Sequence, residues 1–173
     1  MTLYRRPLTV LLSLIICTTA NAQLQVDHLS FKGFSAIGFG GFFNFAVPVS
    51  DADFVTAEIG VDIFSSNDNH VVQIPMLVGY RYTLDRTGTG FYLEPNVGYS
   101  YGGTDIQLVD SAGNYYDQKV SGLAAGLGFG YLFQPTQNIQ FNLGIRYEHI
   151  FGSVGQNMFS FRISHAFTFG RRD

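Results

Sequence analysis

The segment that decides the fold of this chain reads VTAEIGVDI from Val55 to Ile63. Its odd-numbered positions are apolar, and its even-numbered positions are Thr, Glu, Gly and Asp. A period of two is typical of a β-strand that has one face in an apolar environment. The repetition of this pattern predicts an all-β protein. Six further segments alternate in the same way: residues 37–47, 72–82, 91–101, 123–133, 139–147 and 159–169.

The charged residues indicate which face of these strands points outward. The polar face carries many glycines and seven charges, whereas the apolar face carries almost none. An arginine that faces lipid at the bilayer midplane costs about 2–4 kcal/mol, and a register slip of one residue would turn every one of these charges outward. Aromatic side chains from seven strands would also overfill the interior of a small barrel. We therefore expect the apolar face to contact lipid and the polar face to fill the lumen.

The lumen charges are expected to form a structural network, because buried charges are costly unless they are paired. The three arginines should contact one or more of the four carboxylates. The alternative is a path for protons or small solutes along the same charges. The predicted network consists of Glu58, Asp62, Arg81, Glu94, Arg146, Glu148 and Arg162.

A closed bacterial barrel has an even number of strands, so seven clear strands imply an eighth. We assign it to the region from Leu24 to Lys32, followed by a tight turn near Gly33, although its alternation is poor. The predicted fold is an eight-stranded antiparallel up-and-down transmembrane β-barrel with a polar, salt-bridged interior.

The connections alternate between the two ends of this predicted barrel. One end carries the connections at residues 65–70, 103–118 and 152–157, of which 103–118 is the longest. The other end carries those at 50–53, 84–90 and 134–138. Long loops are extracellular in barrels of this kind. Both chain termini are therefore expected to be periplasmic.

The N-terminal residues 1–22 have the pattern of a secretory signal peptide. Arg5 and Arg6 precede an apolar stretch, and Ala20-Asn21-Ala22 is an A-x-A cleavage site. We expect cleavage after Ala22, export to the outer membrane, and residues 23–173 as the barrel domain. Lipid attachment at Cys17 is the alternative, but Ile16 stands where a lipoprotein signal needs a small residue.

Composition narrows the partners of the mature chain. Cys17 is the one cysteine, so cleavage leaves no disulfide or cysteine metal site, and we expect no cofactor and no metal. Removal of Arg5 and Arg6 leaves eight of the ten basic residues against 13 acidic ones. Without a basic patch, nucleic acid is not an expected partner. The expected partners are outer-membrane lipid and extracellular ligands of the loops, with the protein a monomer.

The connection at residues 103–118 is acidic and aromatic, and such loops can bind cations or sugars. Its spacing does not match an EF-hand, and ordinary solvation is the alternative. The candidate recognition residues are Asp105, Asp110, Asn114, Tyr115, Tyr116 and Asp117.

Two segments resemble a known family. IPMLVGYRY at residues 74–82 and GFYLEPNVGY at residues 90–99 are similar to the outer-membrane protein β-barrel domain family, which includes small opacity-type surface antigens. The resemblance extends over residues 23–169 and implies an eight-stranded outer-membrane barrel; some members bind surface molecules through their loops. The chain departs from the family's common aromatic ending, because Phe169 is followed by Gly-Arg-Arg-Asp.

The expected function is a structural or surface-interaction role without catalysis. The alternatives are a narrow small-solute pore, a lipid-modifying outer-membrane enzyme and a soluble exported β protein. His149 and His165 occupy the outward phase, which is unusual, but by alternation the nearby Ser164 and Glu148 point inward. A triad needs its nucleophile and base within hydrogen-bonding reach, so no catalytic residues are expected.

Overall fold

The computed structural model describes residues 19–67, 69–109, 115–117, 119–136 and 139–168. Eight of its strands close into a barrel in the order β1-β10-β9-β8-β5-β4-β3-β2, and every neighbouring pair is antiparallel. β6 and β7 form a separate small hairpin within the connection between β5 and β8. The strands are β1 (Thr19–Phe31), β2 (Phe34–Pro48), β3 (Asp53–Ser66), β4 (Asn69–Thr83), β5 (Gly90–Thr104), β6 (Gln107–Val109), β7 (Tyr115–Asp117), β8 (Gly122–Thr136), β9 (Ile139–Phe151) and β10 (Gln156–Thr168).

This architecture confirms the predicted eight-stranded up-and-down barrel, and it also supplies the strand that was inferred from closure. β1 pairs with β10 from Thr19 to Ser30, and with β2 along its whole length. β1 begins five positions before the predicted start at Leu24. The predicted signal peptide therefore overlaps β1 at residues 19–22, residues 1–18 lie outside the described part of the chain, and cleavage after Ala22 stays a prediction.

Several connections are shorter than the sequence pattern indicated. The predicted loop at 65–70 is shortened at both ends, because β3 extends to Ser66 and β4 begins at Asn69. The β1–β2 turn consists of Lys32 and Gly33, both with positive φ (35° and 83°), as tight two-residue hairpins require.

The eight barrel strands are 13–15 residues long, which exceeds the roughly 9–11 residues needed to cross a bilayer. The pairing of neighbouring strands continues beyond the lipid, where polar side chains are tolerated.

The two phases of the strands segregate as predicted. Outward side chains such as Leu24 and Phe39 are 74% and 70% exposed, whereas Arg146 and Arg162 on the polar phase are 1% and 0% exposed. The apolar phase therefore forms the outer surface of the barrel. No described segment forms a helix long and apolar enough to cross a membrane.

The barrel has two distinct ends. The "terminal end" carries Thr19, Thr168 and the connections at 49–52, 84–89 and 137–138. The "hairpin end" carries the turn at 32–33, the connection between β3 and β4, the β6–β7 hairpin and the connection at 152–155.

An apolar cluster fills the lumen at the hairpin end. We call it the apolar cap, and Phe34 and Ile106 pack against it. It reverses the inside-outside pattern locally, because inward positions are apolar here while the outward His28 is polar. This reversal explains why β1 alternates poorly in sequence. The apolar cap consists of Leu29, Phe31, Ala36, Phe64, Val71, Val120, Val154 and Met158.

Replacing Ile145 with Arg should test the lipid-facing phase. Ile145 lies outward near the middle of β9 and is 41% exposed, so a charge there would face hydrocarbon. We expect the free energy of unfolding in phospholipid vesicles to fall by about 2–4 kcal/mol, measured by urea titration of the folded band on unheated gels. Phe151→Arg at the hairpin end of the same strand is the control, with an expected loss of about 1 kcal/mol or less. Equal losses would contradict the assigned phase.

Candidate functional site

The centre of the lumen holds a continuous chain of ion pairs. Glu94 accepts from Arg81 Nε at 2.5 Å and lies 3.3 Å from Arg162 Nη1. Glu58 lies 3.7 Å from Arg162 Nη1 and accepts from Arg146 Nη1 at 2.6 Å. Two carboxylates therefore bridge three guanidiniums. The chain ends at Glu148, whose Oε2 lies 3.5 Å from Arg146 Nε.

Five different strands bring these side chains together, and a small residue leaves space for them. Gly128 on β8 lies opposite Glu94 on one side and Arg146 on the other. A Cβ added at Gly128 would lie 2.7 Å from Arg162 Nη2. The guanidinium of Arg162 therefore lies against bare backbone, where any larger residue would displace it.

Uncharged side chains complete the network, and the sequence analysis missed them. Asn44 Nδ2 donates to Glu58 at 3.2 Å, and Gln25 Nε2 donates to Ser160 Oγ at 3.1 Å. Nearer the hairpin end, Gln73 Nε2 donates to Gln156 Oε1 at 2.5 Å. Their position in the polar phase was the available signal, but alternation alone does not identify which of them meet.

Toward the terminal end, an aromatic residue closes the network. The Arg81 guanidinium lies over the Tyr92 ring at 4.7 Å, an arrangement that favours a cation. The Tyr92 hydroxyl donates to Asn142 Oδ1 at 2.7 Å. Tyr92 is completely buried, so it fills the lumen below the ion pairs.

Asp62 departs from the predicted role. Among the described residues it makes no ion pair with an arginine, although it is completely buried. It lies instead beside the carboxyl group of Asp27, a buried acid on β1 that the sequence analysis did not select. Gln25 Nε2 donates to Asp27 at 2.6 Å. The structure thus places Asp62 beside a second buried carboxyl group and outside the ion-pair chain.

The predicted recognition residues differ in where they lie and in what they contact. Asp105 Oδ1 accepts from the His70 backbone N–H at 2.6 Å, so this carboxylate holds the start of the loop against β4. Asp110 and Asn114 lie outside the described residues. Tyr115, Tyr116 and Asp117 form β7, whose backbone pairs with β6.

The outward histidines lie at opposite ends of the barrel. His149 lies near the hairpin end, and its Nδ1 is 2.8 Å from Asn157 Oδ1. His165 lies near the terminal end, where its ring packs edge-on against Phe141 with 4.8 Å between the ring centroids. A third contact was missed from sequence: His28 Nε2 lies 2.9 Å from Ser35 Oγ on the exposed surface of the β1–β2 hairpin. The available signal was their common outward phase on the two strands of the hairpin, where Ser35 lies diagonal to His28 and Ile37 lies directly opposite it.

No described group of three or more His, Cys, Asp or Glu side chains is arranged to hold a metal ion. The six-membered ion-pair chain instead uses each carboxylate to neutralise a guanidinium.

A closed barrel with an apolar outer surface and a charged lumen is the architecture of an outer-membrane β-barrel. The sequence from residue 11 to residue 167 matches the model of the outer membrane protein beta-barrel domain family. The chain belongs to this family. Membership confirms the resemblance noted from sequence, and it makes the protein an outer-membrane barrel with transmembrane strands.

Solved structures share the fold of this family member at low sequence identity. Neisserial surface protein A (NspA) superimposes with a TM-score of 0.62 at 15% identity, covering 88% of this chain and 97% of NspA. Ail, the attachment invasion locus protein of Yersinia pestis, gives 0.60 at 12% identity, with 87% and 97% coverage. The outer membrane enzyme PagL gives 0.53 at 12% identity, with 83% and 97% coverage. No curated protein matches the chain significantly.

Comparison of two charge-removing variants tests the ion-pair chain. Glu58→Gln removes the carboxylate that bridges Arg146 and Arg162 and leaves each guanidinium only its longer contact, with Glu148 or with Glu94. We therefore expect the free energy of unfolding to fall by about 3 kcal/mol. Asp62→Asn removes a carboxylate that faces Asp27 and has no arginine partner, so we expect no loss or a small gain in stability. Urea titration in vesicles measures both, with the folded fraction determined on unheated gels. An equal loss in the two variants would contradict the assignment.

Proposed function

We propose that this protein is a non-conducting, non-catalytic outer-membrane barrel with a structural or surface-interaction role at its hairpin end. The supporting observation is the filling of the lumen. The ion-pair chain occupies the middle, and the apolar cap closes the hairpin end.

The pore alternative requires a continuous hydrated path through the barrel. Phe64, Val71, Leu29 and Met158 of the apolar cap are all completely buried, and eight-stranded interiors are only wide enough for side chains. Gln156 ties the cap to the network, because its Nε2 donates to the Val120 carbonyl at 2.7 Å. A solute would have to displace both layers, so the pore is the weaker candidate.

The enzyme alternative draws support from the fold that the chain shares with PagL, but catalysis needs a site. The His28–Ser35 pair has a serine hydroxyl within reach of an imidazole. Among the described residues, no carboxylate contacts His28 to orient its ring, as a triad requires. Ser164 and Glu148 are buried in the lumen, and Ser153 Oγ donates to the Lys119 carbonyl at 3.0 Å. These serines and this carboxylate therefore lie too far from the outward histidines to form a triad with them.

The hairpin end is the surface proposed to meet partners, since the longer loops of such barrels are extracellular. Its turns and loops contain four acidic residues, Asp68, Asp105, Asp110 and Asp117, against Lys32 and Lys119. An Ail structure holds the heparin analogue sucrose octasulfate, a densely anionic ligand. The acidic balance here favours an uncharged or basic ligand instead. We propose that the barrel binds it as a monomer, after residues 1–22 have been removed.

Planar-bilayer recording of the refolded barrel tests the proposal. The wild-type protein should show no conductance steps above the protein-free baseline, because the cap and the ion pairs exclude a water path. The double variant Phe64→Ala and Met158→Ala removes large side chains from the cap and should also show no steps, because the ion-pair chain still fills the middle of the lumen.

Regular single-channel steps from the wild type would overturn the proposal in favour of the pore. Removal of acyl chains from purified lipid A by the wild type, abolished in Ser35→Ala, would overturn it in favour of the enzyme.

A further inference from the structure

Two buried acids, one from β1 and one from β3, meet in the lumen beneath the apolar cap. Asp27 and Asp62 are 1% and 0% exposed, and their carboxyl groups lie within hydrogen-bonding reach of each other. Asp27 lies two residues before Leu29, and Asp62 lies two residues before Phe64, both of which belong to the cap. The acid pair therefore lies between the cap and the ion-pair chain.

β2 runs between the two strands that carry these acids, and its glycines leave room for the side chains to meet. Gly38 lies opposite Asp27, and Gly40 lies opposite Asp62. A Cβ added at Gly40 would overlap Asp62 Oδ1. The two carboxyl groups therefore meet over bare backbone, which a larger residue at position 40 would prevent.

The acid pair lacks hydrogen-bond donors. Gln25 Nε2 donates to Asp27 Oδ1 at 2.6 Å. Within the described part of the chain, no donor reaches Asp27 Oδ2 or either carboxyl oxygen of Asp62. Ionised carboxylates only accept hydrogen bonds, so two of them would face each other here with nothing between them. One proton on the pair supplies the missing donor.

The charge balance of the lumen also favours a proton. Five carboxyl groups and three guanidiniums are buried among the described residues, so full ionisation would leave two negative charges without a counter-ion. The guanidiniums are already bridged by Glu58 and Glu94. A buried carboxyl group that has no counter-ion takes up a proton rather than keep its charge.

The groups that face the acid pair do not replace this proton. Arg146 on β9 faces the pair, but its Nη1 is held by Glu58 at 2.6 Å and its Nε lies 3.5 Å from Glu148. Glu58 and Glu148 themselves bring further carboxyl groups close to the pair. The other neighbouring strands contribute uncharged residues, which are Gly40 on β2, Gln73 on β4 and Ser160 on β10.

We propose that Asp27 and Asp62 share one proton at neutral pH, and that this proton is a pH-sensitive link between β1 and β3 beneath the apolar cap. One carboxyl group carries the proton and donates it to the other in a hydrogen bond. When the proton leaves at higher pH, two like charges face each other and the link becomes a repulsion. This device is independent of any ligand that the hairpin end binds.

Infrared spectroscopy of the folded barrel, in a detergent without ester groups, tests for the proton. A neutral carboxylic acid has a C=O stretching band that a carboxylate lacks, and the band shifts on transfer to heavy water. At pH 7 an aspartate with its ordinary pKa of about 4 is ionised. We expect the difference spectrum between the wild type and Asp62→Asn to contain the band of a neutral acid, because the amide replaces one member of the protonated pair.

The pH dependence of unfolding is a second measurement of the same proton. Above about pH 5 the unfolded chain has lost a proton that the folded pair retains, so a rise in pH favours unfolding. In Asp62→Asn the new amide donates to Asp27 without any proton uptake. The ratio of folded to unfolded wild type, relative to that of Asp62→Asn, should fall about a hundredfold from pH 5 to pH 7. Urea titration in vesicles at constant salt measures both ratios.

Asp51→Asn is the matched control, because it removes an exposed carboxylate on the connection between β2 and β3. It should keep the infrared band and the pH dependence of the wild type. All three proteins are first shown to be folded by their mobility on unheated gels.

A difference spectrum without the band would overturn the proposal, and so would parallel pH profiles for the wild type and Asp62→Asn. Exchange of choline for sodium at fixed ionic strength supplies a third test. If sodium stabilised the wild type at pH 7 but not Asp62→Asn, a cation would occupy the place of the proton, and the proposal would be wrong.

Discussion

Three guanidinium groups lie in the middle of a barrel that is only eight strands wide, and each must have a carboxylate partner. Glu58 and Glu94 meet this demand by bridging the arginines in pairs. A buried ion pair adds little net stability, but the loss of one partner is expensive. The network therefore acts mainly through register. A slip of one residue on β9 or β10 would take Arg146 or Arg162 out of the lumen and into lipid.

The rest of the lumen is arranged around this layer. Gly128 lies where the backbone must approach the Arg162 side chain. Tyr92 closes the terminal side beneath Arg81, and the apolar cap closes the hairpin side. The cap also explains a departure from simple alternation, because beyond the lipid the inward side chains become apolar and the outward ones polar. A filled interior and a bare apolar exterior leave the outer surface and the loops as the places where this barrel can meet other molecules.

The sequence could predict the features that repeat along a strand. Alternation with a period of two located seven strands and their phase, and the arginines with their glutamate partners followed from burial. Features that depend on neighbours across strands could not be predicted. Asp62 was grouped with the ion pairs, but the register between β1, β2 and β3 places it beside Asp27. The start of β1 was misplaced because residues 19–22 were assigned to the signal peptide. The alternation of β1 was poor because Leu29 and Phe31 point inward in the cap. The contacts of His28 and His149 also depend on cross-strand register, which one sequence does not encode locally.

The segregation of side chains between lipid and lumen is tested most directly on β9, where two isoleucines have opposite phases. Ile145 is 41% exposed and Ile150 is completely buried. In a methyl-labelled barrel in a lipid bilayer nanodisc, a nitroxide carried on a lipid acyl chain should broaden the NMR signals of the Ile145 methyl groups. The Ile150 and Leu77 methyl groups in the lumen should be spared. Equal broadening of Ile145 and Ile150 would contradict the account.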